Sequence, residues 1–362
     1  MKIIVSAGGT GGHIYPALAI INKFKEHEPN LEVLYIGTHN RMEKDLIPKR
    51  NIPYEEIEIY GFSKSNLLLD FKNIFLIKKA YKKCLKIMEE FKPDIVLGIG
   101  GYVTYPVIKA ASKLGIKTFI HEQNSIPGKS NLALQSKVDL IGVSFKETIS
   151  SFKKAKGEVF YSGNPCGENA LSLSPMPKES LGLTQNKKLV VIASGSLGSA
   201  SVNEKMVSYL ESVGKEDYEV LYITGKSLYD EFVNNHKFPN NVKVVAYVDN
   251  LPSLLKNTDL IVTRAGASTM SEILSLNLPA IFIPSPYVAN NHQYHNAMSI
   301  KNAGGGEVIE EKDLTSITLS NKINEVLYNE GISKKMKENL KTLSMNNSSE
   351  LIYEKIKDLI KC

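Results

Sequence analysis

The chain has 362 residues, 43% of them hydrophobic and 23% charged, which is the balance of a globular protein too long for one core, so two domains are expected. A formal net charge of +6 is mild and points to an anionic partner only where the lysines cluster. Cys84, Cys166 and Cys362 stand far apart without C-x-x-C spacing, which argues against a zinc site or a disulfide framework and for a reducing compartment. No apolar run is long enough to span a bilayer, and Met1 leads directly into a strand without the succession of a signal peptide. A cytoplasmic protein that meets a membrane only at its surface is expected.

Ile3-Ile4-Val5, then Gly8-Gly9-Thr10-Gly11-Gly12-His13, then Tyr15 to Ile20 read as strand, glycine turn and helix. Glycines let backbone N–H groups come close to a ligand, and the helix turns the positive end of its dipole toward it, so a phosphate-bearing substrate is expected. The loop lacks the Gly-Lys-Ser/Thr of a Walker A motif. It also lacks G-x-G-x-x-G spacing, and the second strand, Leu31 to Ile36, runs into Gly37-Thr38 with no acid for a ribose. His13 adds a side chain able to take a proton near neutral pH. The plain alternative is a tight Rossmann-type turn without a ligand.

Between Ser63 and Met88, Leu67, Leu68, Leu69, Phe71, Ile74, Phe75, Leu76 and Ile77 are interleaved or followed by Lys72, Lys78, Lys79, Lys82, Lys83 and Lys86. Such a segment can rest on an anionic membrane surface; equally, it can be a helix that buries one face and solvates the other.

Asp94 to Tyr102 is a strand ending in a glycine turn, Thr118-Phe119-Ile120 runs into His121-Glu122-Gln123-Asn124, and Leu140 to Val143 leads to Gly163-Asn164-Pro165. The alternation predicts a parallel sheet covered by helices, with functional groups just past the strand ends. Leu189 to Ala193 then opens the pattern again, with the turn Ser194 to Ser199 and a helix from about Val202. Further strands fit Val220 to Thr224, Val242 to Tyr247, Leu260 to Thr263 and Ala280 to Ile283, and the polar run Ser344 to Ser349 reads as a hinge before a last helix, Glu350 to Lys361. Two Rossmann-like halves imply a cleft as the site.

Leu260 to Thr263 runs into Arg264-Ala265-Gly266-Ala267-Ser268-Thr269 and a helix carrying Glu272. The arginine could neutralise phosphate and the carboxylate could hold sugar hydroxyls, although a helix capped by Ser268 or Thr269 with Glu272 as capping-box partner reads equally well. The amides from Asn290 to Asn296 match the hydroxyl edge of a sugar. His292 and His295 lack a third metal ligand.

The runs GGTGGH, GIGGYVTYP, HEQNSIPGKSN, YSGNP, GSLGSAS, RAGASTMSE and HQYHNA, in this order over nearly the whole chain, resemble those of the MurG family of peptidoglycan N-acetylglucosaminyltransferases. The resemblance implies a GT-B fold, two α/β Rossmann-like domains facing across a cleft. Residues 1–162 would take the lipid acceptor and face the membrane, residues 163–343 would take UDP-N-acetylglucosamine, and the helix 350–362 would pack back on the first domain. It implies inverting transfer of N-acetylglucosamine to the C4 hydroxyl of lipid I, giving lipid II and UDP, at the cytoplasmic face of the cell membrane. Cell-wall synthesis, and through it cell shape and division, would depend on the product. The lysine-rich segment falls where the family has its membrane-facing patch.

Carried over by position, Thr10, Gly11 and Gly12 would face the donor sugar and diphosphate, Asn124 would contact the donor sugar, Ser196 a phosphate, and Val248 the uracil through its backbone. Ala267, Ser268, Thr269, Met270 and Ser271 would line the diphosphate and sugar, Glu272 would hold the ribose and Gln293 a sugar hydroxyl. His13 is the expected general base, since a hydroxyl nucleophile must lose its proton as the bond forms, with Glu122 as the second candidate. The family's valine and arginine after Asn-Pro are here Cys166 and Gly167, which leaves Arg264 to compensate, and Thr104-Tyr105-Pro106 replaces its serine, glycine and proline. No acidic D-x-D-type pair stands out, so neither metal nor cofactor is expected.

A UDP-N-acetylglucosamine 2-epimerase would share this architecture without lipid or membrane, and a degenerate relative would bind nucleotide sugar without turnover. The His121 to Asn124 loop and the lysine patch speak against the first. A nucleic-acid partner is not expected, because the lysines do not alternate with exposed aromatics.

Overall fold

Each short β-branched run becomes a parallel strand because a helical crossover returns the chain to the same end of the sheet before the next strand begins. The computed structural model describes residues 1–61, 67–195 and 198–361, the side chains of 67–71 excepted. The chain divides into two compact units, Met1–Cys166 with Asn347–Cys362, and Gly167–Asn346.

In the first unit β1 (Lys2–Ser6), β2 (Glu32–Thr38), β3 (Tyr54–Ile57), β4 (Ile95–Gly98), β5 (Lys117–Glu122), β6 (Leu140–Val143) and β7 (Glu158–Tyr161) form a parallel sheet in the order β3-β2-β1-β4-β5-β6-β7. In the second, β8 (Leu189–Ala193), β9 (Glu219–Ile223), β10 (Val242–Val245), β11 (Leu260–Thr263), β12 (Ala280–Phe282) and β13 (Glu307–Val308) form another, in the order β10-β9-β8-β11-β12-β13. Both sheets reverse strand order beside their first strand, at β1/β4 and at β8/β11. Ligands of open α/β sheets bind at such points.

Three strands escape the sequence reading: β3, β7 and β13. All lie at sheet edges, where partial exposure admits Glu55, Glu56, Glu158 and Glu307 and erases the continuous apolar run of a central strand. β5 extends through His121 and Glu122, which pair with Gly142 and Val143, so two residues expected past the strand lie inside it. The last helix spans Ser348–Lys361, so Ser348 and Ser349 are helical and buried rather than part of a hinge.

Alternation along β1 sends Ile3 and Val5 to one face of the first sheet and Ile4 to the other. On the Ile3 face, the Gly11–His27 helix contributes Ile20, Ile21 and Phe24 to a cluster that also contains Ile352 and Ile356 of the last helix, both fully buried. Polar contacts fix its rotation. Tyr353 stacks on His27 at 4.3 Å and donates to Glu28 at 2.9 Å, and Lys357 pairs with the same carboxylate at 2.6 Å. These ion pairs are partly exposed and contribute little; the apolar seam supplies most of the docking energy. Ile356→Ala is expected to cost about 2–5 kcal/mol. Urea unfolding, with hydrogen exchange across residues 348–361, would measure it, and an unchanged midpoint would refute the assignment.

Candidate functional site

In the first unit, the glycine turns after β1 and β4 lie against each other. The Gly8 N–H donates to the Gly100 carbonyl at 3.3 Å, and a Cβ on Gly101, whose φ is +88°, would stand 2.5 Å from the Gly8 oxygen. A buried carboxylate stands behind the first turn. Glu43 accepts the Gly9 N–H at 3.2 Å, the Thr38 N–H at 3.1 Å and the Thr38 hydroxyl at 2.6 Å. One amide of the expected phosphate cradle is therefore already committed to a carboxylate, whose charge opposes a second anion at the same place. No sequence motif marks Glu43; folding alone brings it to the turn.

Thr10 is the extended N-cap residue of the Gly11–His27 helix and is exposed, with Gly11, Gly12 and His13 in the first turn. The His13 ring packs over Gly100, where a Cβ would come within 2.4 Å of Nδ1. His13 Nδ1 lies 3.0 Å from Gln123 Oε1. Gln123 is buried, and its amide nitrogen lies 2.7 Å from the Ile99 carbonyl and 2.9 Å from His121 Nδ1. Burial lowers the His121 imidazole to about 4.

Glu122, the second candidate base, is fully engaged. One oxygen accepts the Asn124 N–H at 3.0 Å and its side-chain amide at 3.3 Å; the other accepts the Gly128 N–H and the Asn131 amide, each at 2.8 Å. With 2% exposure it shapes the loop from Asn124 to Asn131, and the structure gives it the bonding of a structural carboxylate rather than a base.

In the second unit the turn after β8 contains Gly195 (φ +88°) and Gly198 (φ +73°); Ser196 lies outside the described residues. Arg264, following β11, donates to Ser199 Oγ at 2.9 Å and to the Ile283 carbonyl at 3.1 Å, and pairs with Glu311 at 2.6 Å. Both partners of this ion pair are buried. The structure thus corrects the expectation of a phosphate-neutralising Arg264: its charge is spent on Glu311, and its task is to hold the turn and the start of the Ala200–Ser212 helix.

Gly167 packs directly against the Ala267–Leu276 helix, where a Cβ would stand 2.3 Å from Ser275 Oγ and 2.7 Å from the Ser271 carbonyl. An arginine there would force the Cys166–Ser172 helix, which carries Gly167, away from the Ala267–Leu276 helix.

Gly266 is the N-cap of that helix and no side chain caps it, which removes the capping-box reading of Ser268, Thr269 and Glu272. Ala267, Ser268 and Thr269 occupy the first turn, whose amides have no intrahelical acceptor. The buried Ser268 hydroxyl has no hydrogen-bond partner, and Ser271 donates to the Ser268 carbonyl at 2.6 Å. Met270 departs from its expected role. Its side chain is buried in the core and its N–H bonds the Gly266 carbonyl, so neither faces a ligand. Burial lifts the Glu272 carboxyl to about 7.

Gln293 Oε1 accepts the Ser285 N–H at 2.9 Å, which leaves its amide hydrogens as the donors it can offer, while His292 Nδ1 lies 2.9 Å from the Ala289 carbonyl. Val248 is buried just beyond β10.

Of the lysine-rich segment, Ser63 and the side chains of Leu67, Leu68, Leu69 and Phe71 lie outside the described residues. The Leu67–Phe91 helix buries Asn73, Leu76, Ala80, Cys84 and Ile87, and exposes Phe75 (68%) and Ile74 among Lys72, Lys78, Lys79, Lys82 and Lys86. No helix among the described residues is long and apolar enough to cross a membrane.

Residues 3–143 match the glycosyltransferase family 28 N-terminal domain and residues 189–352 the glycosyltransferase family 28 C-terminal domain. The chain is 42% identical, over the full length of both, to the UDP-N-acetylglucosamine–N-acetylmuramyl-(pentapeptide) pyrophosphoryl-undecaprenol N-acetylglucosamine transferase of Bacillus cytotoxicus, and 40% identical, again over both full lengths, to a transferase of the same description from Bacillus cereus. Among solved structures it is similar to Acinetobacter baumannii MurG (TM-score 0.80, 26% identity, 99% of each chain). It also shares its fold with a UDP-N-acetylglucosamine 2-epimerase from Neisseria meningitidis (TM-score 0.68, 13% identity, 99% of this chain and 100% of the other).

The raised Glu272 carboxyl has a measurable consequence. Unfolded, it titrates near 4.5; folded, near 7. Between these values the folded chain keeps a proton that the unfolded chain has released, so stability falls as pH rises from about 4.5 to 7 and then levels, by about 3 kcal/mol in all. Glu272→Gln should therefore stabilise the protein at pH 8 and leave it unchanged near pH 4.5. Urea unfolding at the two pH values tests this, and a difference independent of pH would refute it.

Proposed function

The chain belongs to glycosyltransferase family 28, and from that membership we infer that it transfers N-acetylglucosamine from UDP-N-acetylglucosamine to muramoyl-pentapeptide pyrophosphoryl-undecaprenol (lipid I), forming lipid II and UDP in peptidoglycan synthesis. The observation that carries this is identity of 40–42% over the whole length to transferases of that activity. The likeness to the epimerase, at 13% identity, extends to the fold alone.

The proposed chemistry is an inverting displacement. The acceptor C4 oxygen forms a bond to the anomeric carbon, the bond from that carbon to the β-phosphate oxygen breaks, and UDP takes the electron pair. The hydroxyl proton passes to His13, which stands at a helix N-terminus beside the glycine turn. The developing diphosphate charge is met by the first-turn amides of Ser268 and Thr269 and by the dipole of the Ala267–Leu276 helix, with the Ser268 hydroxyl supplying a further donor. Glu272 holds the ribose, Gln293 donates its amide hydrogens to a sugar hydroxyl, the Val248 backbone reads the uracil, and Thr10, Gly11, Gly12 and Asn124 contact the donor sugar. Ser196 would add a phosphate contact. Arg264 and Glu122 act by holding backbone.

His13→Ala is expected to lower acceptor-dependent UDP release by roughly a hundredfold or more while donor affinity changes little. Release of UDP without an acceptor would instead indicate an epimerase or a hydrolase.

The exposed Phe75 and Ile74 within their ring of lysines support a peripheral seat on the anionic cytoplasmic face of the membrane. Each lysine near such a surface contributes about 1 kcal/mol, so replacing Lys78, Lys79 and Lys82 with alanine should weaken binding to anionic vesicles by roughly a hundredfold. Sedimentation with phosphatidylglycerol vesicles would measure it, with neutral vesicles as the control; equal sedimentation of variant and parent would overturn the membrane seat.

A further inference from the structure

Three strands and the first helix of the first unit meet in a run of hydrogen bonds whose donors and acceptors can be assigned from one end. The Gly163 carbonyl can only accept, and it lies 2.9 Å from His121 Nε2, so that nitrogen carries the proton. Burial keeps the ring neutral by lowering it to about 4, and Nδ1 is then left to accept. Gln123 approaches this Nδ1 at 2.9 Å with one group and the Ile99 carbonyl at 2.7 Å with the same group. Two acceptors around one atom require that atom to be the amide nitrogen, since an oxygen there would face two lone pairs. The amide cannot be turned over. Its oxygen must face His13 Nδ1, 3.0 Å away, and an amide oxygen only accepts.

We propose that Gln123 is a positioning residue that fixes His13 as the Nδ1–H tautomer, placing the basic lone pair on Nε2. The assignment starts at a backbone carbonyl after β7, passes through His121 and Gln123, and ends on the imidazole. It deepens the reading of His13 as general base, because a proton on Nε2 would leave that nitrogen unable to receive the proton of the acceptor hydroxyl. Gly100 completes the seat, since a Cβ there would strike Nδ1 and rotate the ring away from the amide oxygen. An amide is suited to this task. It orients the ring without the full negative charge that a carboxylate would add beside it, so the ring is directed without being strongly biased toward imidazolium.

Long-range nitrogen–proton correlation spectra of protein with 15N-labelled histidine, the His13 signals being identified by their loss in His13→Ala, test this without turnover. The expected result for the unaltered protein at pH 8 is a protonated Nδ1 and an unprotonated Nε2. Gln123→Met, of nearly the same volume, should give mixed tautomers and lower kcat about tenfold to a hundredfold with little change in KM for UDP-N-acetylglucosamine. A proton on Nε2 in the unaltered protein would overturn the proposal even if no variant folds. So would a folded Gln123→Met protein whose His13 tautomer is unchanged. If the expected tautomer is found but His13→Ala retains full activity, the reading of His13 as base fails and the relay stands; an inactive His13→Ala with the wrong tautomer fails the relay alone.

Discussion

At the point where strand order reverses in the first sheet, β1 and β4 run side by side, and the chains leaving them depart to opposite faces. Only bare backbone fits in the gap between the two turns. Gly8 therefore bonds Gly100 directly, and a Cβ on Gly101 would strike the Gly8 oxygen. The site of this unit follows from that closeness. With no side chains in the way, the helix start at Gly11 comes forward, and His13 becomes the first chemically capable group along it, seated over the α-carbon of Gly100.

The second sheet meets the same constraint by another route. The turn after β8 is tied to the end of β11 through Arg264, which reaches Ser199 and is itself held by Glu311. A buried ion pair of this kind is costly to desolvate and adds little net stability, but removing one partner leaves an uncompensated charge. Its value lies in position: the turn expected to meet a phosphate is fixed by a side-chain network rather than by one backbone bond. The neutral first-turn amides of Ser268 and Thr269 are the groups proposed to face the diphosphate.

Carboxylates near the two sites have three distinct fates. Glu43 and Glu122 are wholly satisfied by backbone and side-chain donors and stiffen loops. Glu311 neutralises an arginine. Glu272 is lifted toward neutrality by burial. Residue type and motif position do not distinguish these fates; the donors that surround each carboxyl do.

The central strands, both glycine turns and the repetition of the Rossmann-like pattern were legible in the sequence, because a strand buried on both faces must be apolar throughout and a close backbone approach must be glycine. The edge strands β3, β7 and β13 were not, since half-exposed positions accept glutamates and carry no period. His13 was legible as the candidate base from its place at the end of the turn. Gln123 was visible as a letter in a motif, but its role depends on Ile99, His121 and Gly163, which only the sheet brings within hydrogen-bond reach. Glu43 and Glu311 carried no local signal at all, and the charge of Arg264 read as available until its partner was placed. Local sequence determines which residues can be strand, turn or proton carrier, because those properties reside in single side chains and their spacing. Which polar group is already spent and which remains for a substrate is a property of pairs distant in the chain, and tertiary structure decides it.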